Sequence, residues 1–240
     1  MKSKLARAGA GLVALTLLYP LSGLLRQVGS WRWDPDVANP SLASIRVSLG
    51  LTSVAMLIVV VLGTPIAIYI ARRSVRERLW WQAVFLISIL LPPLALGILL
   101  SITFGRVTNT PAAFVGTQVY VSIGYYVLGA VAAFDGVPLM LEKHAALLGQ
   151  SPVAVFRRVT FPLARLGLAV ALSVAWVRAL GEFGAVMITA YYPSGMPVQL
   201  WVNLQSFGLP AVMPLLLIFL VTALPLPWAV HLLAQRRPHA

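Results

Sequence analysis

Arg178 and Glu182 are two charges placed where charge is expensive. They stand four residues apart in Leu166 to Ala190, a stretch with no other charged side chain. Arg178 lies twelve residues past Leu166, which on a helix rising 1.5 Å per residue is about 18 Å, near the middle of a bilayer. A charge at that depth costs roughly 2.5–3.5 kcal/mol on an insertion scale, so neither group faces lipid unaided. Residues four apart share a helix face, and these two can pair. Two roles fit the pattern: an ion pair packed between helices, or a charged group that lines or gates a path through the membrane. Gly181 and Gly184 beside them let neighbouring helices approach closely.

The second stretch with chemical character is Glu142 to Pro162, which reads LEKHAALLGQSPVAVFRRVTFP with Leu141 included. It carries charge and still shows helical patterning, and its punctuation predicts two short helices. Pro138 suits the first turn of one, and Gly149 suits its left-handed end. Ser151 caps the next, with Pro152 in its first position. Pro162 is expected to close it, because a residue before proline is pushed out of helical geometry. Short helices rich in Leu, Val, Ala and Phe suit insertion into a groove on a partner.

Other chemistries find no footing. The chain has no cysteine, which removes disulfides and thiolate metal sites. His144, His231 and His239 are too scattered to form a ligand set. There is no phosphate-binding Gly-rich loop with a lysine, and no nucleophile–base arrangement, so neither nucleotide hydrolysis nor another enzymatic activity is expected of this chain.

The elements that must position these residues are membrane helices. Of 240 residues, 60% are hydrophobic and 10% charged, with mean hydropathy +0.89; a soluble domain carries about 25% charged residues. The net charge of +12 does not point to nucleic acid, because the basic residues gather at the ends of apolar spans. Six spans are expected, near 8–25, 42–71, 80–104, 112–134, 166–190 and 210–234, each meeting the length of about 20 residues that a bilayer requires. The first resembles a signal peptide but is longer than an h-region, and it is read as a retained span. The second is expected to break at Gly63 and Pro65. Tyr191 to Leu209 is expected to be a charge-free loop. Tyr125, Tyr126, Ser88, Ser101, Thr103 and Ser122 are mostly expected to hydrogen-bond between helices.

Even-numbered spans put both termini on one side. That side holds Lys2, Lys4, Arg7, Arg72, Arg73, Arg76, Arg78, Lys143, Arg157, Arg158, Arg165, Arg236 and Arg237. The other holds Arg26, Arg32, Arg46 and Arg106. The imbalance places both termini, and Glu142 to Pro162, in the cytoplasm.

His144-Ala145, Gly149 and Val159-Thr160-Phe161-Pro162 resemble the EAA loop of bacterial ABC-importer permeases, with nine residues between Gly149 and Val159 as in that family. Lys143 stands where the family has Glu, with Glu142 next to it as a substitute acid, and His144 stands at the first Ala. Gly63-Thr64-Pro65, Leu91-Pro92-Pro93 with Leu96-Gly97, and Arg178-Ala179-Leu180-Gly181-Glu182-Phe183-Gly184-Ala185 resemble the molybdate, tungstate and sulfate permease group. Tyr191 to Pro197 departs from that group's Gly-rich, Thr-rich loop.

The resemblance implies an all-α membrane protein of the type I importer fold, one permease domain over 1–240 with a cytoplasmic coupling loop at 138–162. It implies that Glu142, Lys143, His144, Ala145, Gly149, Ser151, Val159 and Pro162 meet a separate ATPase pair, which binds ATP and Mg. A second permease copy or a close relative, an extracytoplasmic solute-binding protein and membrane lipids are the other implied partners. The implied home is the cytoplasmic membrane of a bacterium or archaeon, and the implied cargo is an oxyanion. The alternatives are an importer permease for another small solute and an ion-coupled secondary transporter, which would show internal repeats.

Overall fold

The computed structural model describes residues 2–26 and 28–235. Among them every regular element is a helix, as a bilayer demands of a chain that must satisfy its backbone within each segment. The side chains of Lys2, Lys4 and Arg7, and the whole of Arg236 and Arg237, which the charge count used, lie outside the described residues.

Helix α1 (Lys2–Leu18) passes through a 3-10 turn into the short α2 (Ser22–Arg26). After a loop, α3 (Pro35–Ala71) runs for 37 residues. Asp34 caps it, accepting from the Val37 amide, and the hydrogen bond from Arg32 holds the Asp34 carboxyl below its ordinary value, so the cap stays charged. α4 (Val75–Leu90) and α5 (Pro93–Thr103) follow, bent 98° from one another. The bend is dictated by Pro92-Pro93: Leu91 and Pro92 are both extended, with ψ of 125° and 134°. α6 (Pro111–Asp135) crosses next, then α7 (Leu139–Leu147) and α8 (Pro152–Val155). A five-residue π-turn, Phe156–Thr160, leads into α9 (Phe161–Leu180). α10 (Gly184–Thr189), α11 (Met196–Phe207), α12 (Leu209–Ala223) and α13 (Pro225–Gln235) are the last helices among the described residues.

Among the described residues four helical runs are long and apolar enough to cross a membrane, namely Pro35–Ala71, Pro111–Asp135, Pro152–Leu180 and Leu209–Val230. The bent α4–α5 pair makes a fifth if counted as one span, and Gly9–Leu24 is a shorter apolar helix.

The core lies where α6 packs between α3 and α9, and Val59, Ile70, Val127, Val131, Phe134 and Ala175 are sealed there. α6 and α9 meet through small residues spaced four apart on each: Gly129 and Ala133 face Ala171 and Gly167. A methyl added at Gly129 would lie 2.7 Å from the Ala171 methyl, and one at Gly167 would lie 2.5 Å from that of Ala133. Close approach of this kind is how helices associate in lipid, where apolar burial alone drives nothing. Gly167→Leu is therefore expected to destabilise the fold by about 1–3 kcal/mol through overpacking, read as a lowered thermal midpoint of the purified protein in detergent.

A polar seam holds the far end of α3. Asn203 donates to Ser41 at 3.1 Å and to the Ala211 carbonyl at 3.3 Å, and accepts from Gln199 at 2.8 Å. Ser48 accepts from the Met196 amide at 2.7 Å.

Several sequence expectations need correction. α3 does not break at Gly63 and Pro65; proline within a membrane helix is tolerated where neighbours hold the helix in place, and Gly63 sits against the Tyr126 ring. The span expected at 166–190 does break, at Gly181–Phe183. Pro162 does not end a helix. The Phe161 amide instead reaches back five residues to the Phe156 carbonyl, and this widened turn carries the chain through Pro162 into α9. Pro138 caps α7 rather than entering its first turn. Tyr191 to Leu209 contains α11. Of the polar groups in the spans, Ser88, Thr103 and Ser122 bond to carbonyls of their own helices, whereas Tyr126 does bridge, to Thr64 at 2.7 Å.

Candidate coupling surface and membrane ion pair

The helix pair α7–α8 owes its form to local rules. Gly149 has φ +80°, and the Gly149 and Gln150 amides bond back to the carbonyls of Ala146 and Ala145. That is the Schellman arrangement, which closes a helix with a left-handed residue. Ser151 then accepts from the Ala154 amide at 3.3 Å, with Pro152 in the first position. The tip of the pair is apolar and open: Leu147 is 84% exposed, Leu148 81% and Val153 66%. Lys143, His144, Gly149, Ser151, Arg157 and Arg158 are exposed around it, while Ala145, Val159 and Pro162 are half-buried. The leucine pair stands out among charged side chains. It has the make-up of a docking surface, an apolar centre with a polar rim.

Behind the tip, Glu142 is turned into the protein. Its Oε1 accepts from Arg72 Nη2 and, at 2.7 Å, from the Thr160 hydroxyl. Arg72 is the C-cap of α3, and its Nη1 also donates to the Phe134 carbonyl near the end of α6, at 3.2 Å. Arg78 pairs with Asp135 alongside. Thus Glu142, expected to stand in for an acid at position 143, has its partners within the chain. Sequence reasoning missed Arg72 and Thr160 as members of this cluster, because Arg72 is 70 residues from Glu142.

The second cluster is the ion pair. Arg178 Nη1 donates to Glu182 Oε2, and the guanidinium lies 6.0 Å from the centre of the Tyr125 ring. Glu182 is not on the helix that carries Arg178. It sits in the break after α9, and its Oε1 accepts from the Ala185 amide at 2.7 Å in the first turn of α10. One carboxylate thus neutralises a charge and satisfies the start of the following helix. The side chain of Glu182 is 1% exposed and that of Arg178 25%. Gly184 and Gly97 bring α10 onto the bent pair: a methyl at Gly184 would fall 2.9 Å from Pro93, and one at Gly97 3.0 Å from the Ala185 backbone. Gly181 is exposed at the break. Arg178, Glu182, Gly181 and Gly184 therefore gather where two interrupted spans meet.

The Glu142 cluster and the ion pair are separate clusters joined by the length of α9. Among the described residues no group of three or more His, Asp or Glu could hold a metal ion.

An all-helical membrane body that holds a short helix pair out between its spans is the build of a membrane permease. The family of binding-protein-dependent transport system inner membrane components matches residues 63–238, and the chain belongs to it. It is 34% identical, over 93% of its own length and 87% of the relative's, to a probable molybdenum ABC transporter permease protein of Haloferax volcanii. It is 32% identical to the molybdate/tungstate transport system permease protein WtpB of Pyrococcus furiosus, covering 76% of this chain and 74% of the other. To the molybdenum transport system permease protein ModB of Mycobacterium tuberculosis it is 29% identical, covering 90% and 88%. Its fold is like that of a chain of the MetNI methionine ABC transporter in an inward-facing conformation, with TM-score 0.67 at 15% identity over 84% of this chain and 98% of that one. A chain of an amino acid ABC transporter is also similar, at TM-score 0.63, 18% identity and coverage of 83% and 94%. The type I importer fold is therefore the fold of this chain.

Proposed function

We propose that this permease forms the membrane path of an ATP-driven importer for a tetrahedral oxyanion, molybdate or tungstate. The observation that carries the reading is the α7–α8 pair, with its open leucine tip and its Gly149-to-Pro162 spacing, in a chain whose curated relatives carry molybdate and tungstate in their names. The tip is the docking point for a separate ATPase, one per permease copy, which binds ATP and Mg. Lys143 stands at the rim of that contact, and the ATPase surface facing it carries an acidic or neutral group. Two copies of the chain enclose the path, so that two tips meet an ATPase pair. An extracytoplasmic binding protein delivers the solute to the side that holds α11 and the Asn203 seam. Both termini and the tip face the cytoplasm, following the excess of Lys and Arg on that side.

On this reading Arg178, Glu182, Gly181 and Gly184 form the gate region. The pair holds the α9–α10 break in one shape, and α10 rests on the bend between α4 and α5. A shift of α9 driven from the cytoplasm reaches this point along a single helix.

The test is reconstitution. The chain is co-expressed with a candidate ATPase and binding protein from the same organism and placed in vesicles loaded with ATP. Uptake of labelled molybdate or tungstate that depends on all three components is the expected result. Failure of the chain to hold any ATPase would favour ion-coupled transport and overturn the reading. ATP-driven uptake of another solute with oxyanions excluded would overturn the cargo alone.

A further inference from the structure

Glu142 lies one residue from the position where the family resemblance puts an ATPase contact, yet its side chain points the other way. Its side chain is 17% exposed and that of Arg72, which meets it, 23%. Lys143 and the tip leucines, by contrast, are open. A single oxygen, Oε1, takes hydrogen bonds from the C-cap residue of α3 and from Thr160, the last residue of the π-turn that opens α9. Thr160 is 4% exposed. Because Arg72 also holds the Phe134 carbonyl, the inner ends of α3, α6 and α9 converge on a carboxylate borne by α7.

We propose that Glu142 is a positioning residue for transport, the tie that makes the docking helices and the spans α3 and α9 move together. The reasoning is mechanical and electrostatic. α7 is bounded by turns at both ends, Gly136 to Pro138 before it and Gly149 to Ser151 after it. α8 is four residues long and continues through a π-turn into α9; π-turns inside helices are rare and recur at functional sites. α8 and α9 are one helical run, so it is α7, bounded by turns at both ends, that a partner could displace while α3, α6 and α9 stay where they are unless a cross-link holds it. The Arg72–Glu142–Thr160 cluster supplies that cross-link with charge-assisted hydrogen bonds, which are shorter and stronger than neutral ones. It lies beside a cavity of about 290 Å³ between α7 and α8, lined in part by Ile68, Ala146, Val155 and Phe156, and this space lets α7 rock against the spans when the tie is cut.

The inference rests on the importer reading, and the experiment separates the two. Glu142→Gln, Thr160→Val and the exchanged pair Arg72→Glu with Glu142→Arg are each co-expressed with the ATPase. Three quantities are read: ATPase retained on the tagged permease, stimulation of hydrolysis by loaded binding protein, and solute taken up per ATP hydrolysed. Glu142→Gln is expected to retain the ATPase, to lose most of the stimulation, and to take up at least tenfold less solute per ATP. Thr160→Val, which removes one hydrogen bond and no charge, is expected to lower the same ratio about threefold. The exchanged pair restores the charge attraction but not the hydrogen bond to the Phe134 carbonyl, and is expected to recover part of the ratio; uptake per ATP, read on complexes that retain the ATPase, is the quantity a merely structural role would not move.

Loss of the ATPase from Glu142→Gln, with Thr160→Val coupled as wild type, would make Glu142 a direct contact and overturn the proposal. Wild-type uptake per ATP in Glu142→Gln would overturn it equally. If the unaltered chain retains no ATPase, the importer reading falls first and takes this inference with it.

Discussion

Replacing Leu147 and Leu148 together by aspartate is expected to strip the chain of its ATPase while leaving it folded in the membrane. Both side chains stand at the tip of the α7–α8 pair, 84% and 81% exposed, so little of the chain's own packing rests on them. Burying a leucine in a partner's groove contributes roughly 1.5–3 kcal/mol, and each aspartate adds a carboxylate that the groove would have to desolvate. Two lost anchors amount to about 3–6 kcal/mol, or a fall of about 10²- to 10⁴-fold in affinity at 1.4 kcal/mol per decade. The measurement is the quantity of ATPase retained on the tagged permease through purification, with melting of the permease as the control. Uptake should fall to background together with that retention. An ATPase that stays bound to the double variant would remove the tip from the interface.

The second large effect is expected at the ion pair. Removing one member of a buried pair typically costs 3–5 kcal/mol, because the other charge is left without compensation. The two single variants are not equivalent here. Arg178→Ala leaves Glu182 with its hydrogen bond from the Ala185 amide, whereas Glu182→Ala leaves Arg178 unpaired and also uncaps α10. Glu182→Ala is therefore expected to lower both stability and uptake, and Arg178→Ala to lower uptake at least tenfold with ATPase binding retained. The double variant should lose less stability than the sum of the singles, which a double-mutant cycle measures. Wild-type uptake by Arg178→Ala would take this charge out of any account of the path.

What the sequence revealed depended on the range over which each feature is determined. The caps at Gly149, Ser151 and Pro152 were legible because their partners lie within four residues. The ion pair was legible because its members are four apart, but the break between them was not. The same spacing suits a continuous helix, and only the seating of α10 on Pro93 and Leu94 fixes the alternative. Proline misled twice, each time by promising a stop that the helix does not make. At Pro162 the chain widens by one residue per turn instead of stopping, and at Pro65 the helix runs through, because contacts from α6 hold it. The partners of Glu142 and the Gly129–Ala171 contact join segments far apart in the chain, and no local pattern encodes such a meeting. Hydroxyls within spans looked like links between helices, yet Ser88, Thr103 and Ser122 close onto the preceding turn of their own helix, which costs no alignment with a neighbour.

The 37 residues of α3 measure about 55 Å at 1.5 Å per residue, well beyond a hydrocarbon core of about 30 Å. One end is pinned by Ser41 and Ser48 to the Asn203 seam and to α11, and the other by Arg72 to Glu142. On the proposed reading such a helix would act as a lever arm pivoting about one end. A tilt of about 5° about one end carries the other through about 5 Å, close to the pitch of one helical turn. On that reading, this one helix would relay a displacement at the Glu142 end to the Asn203 end.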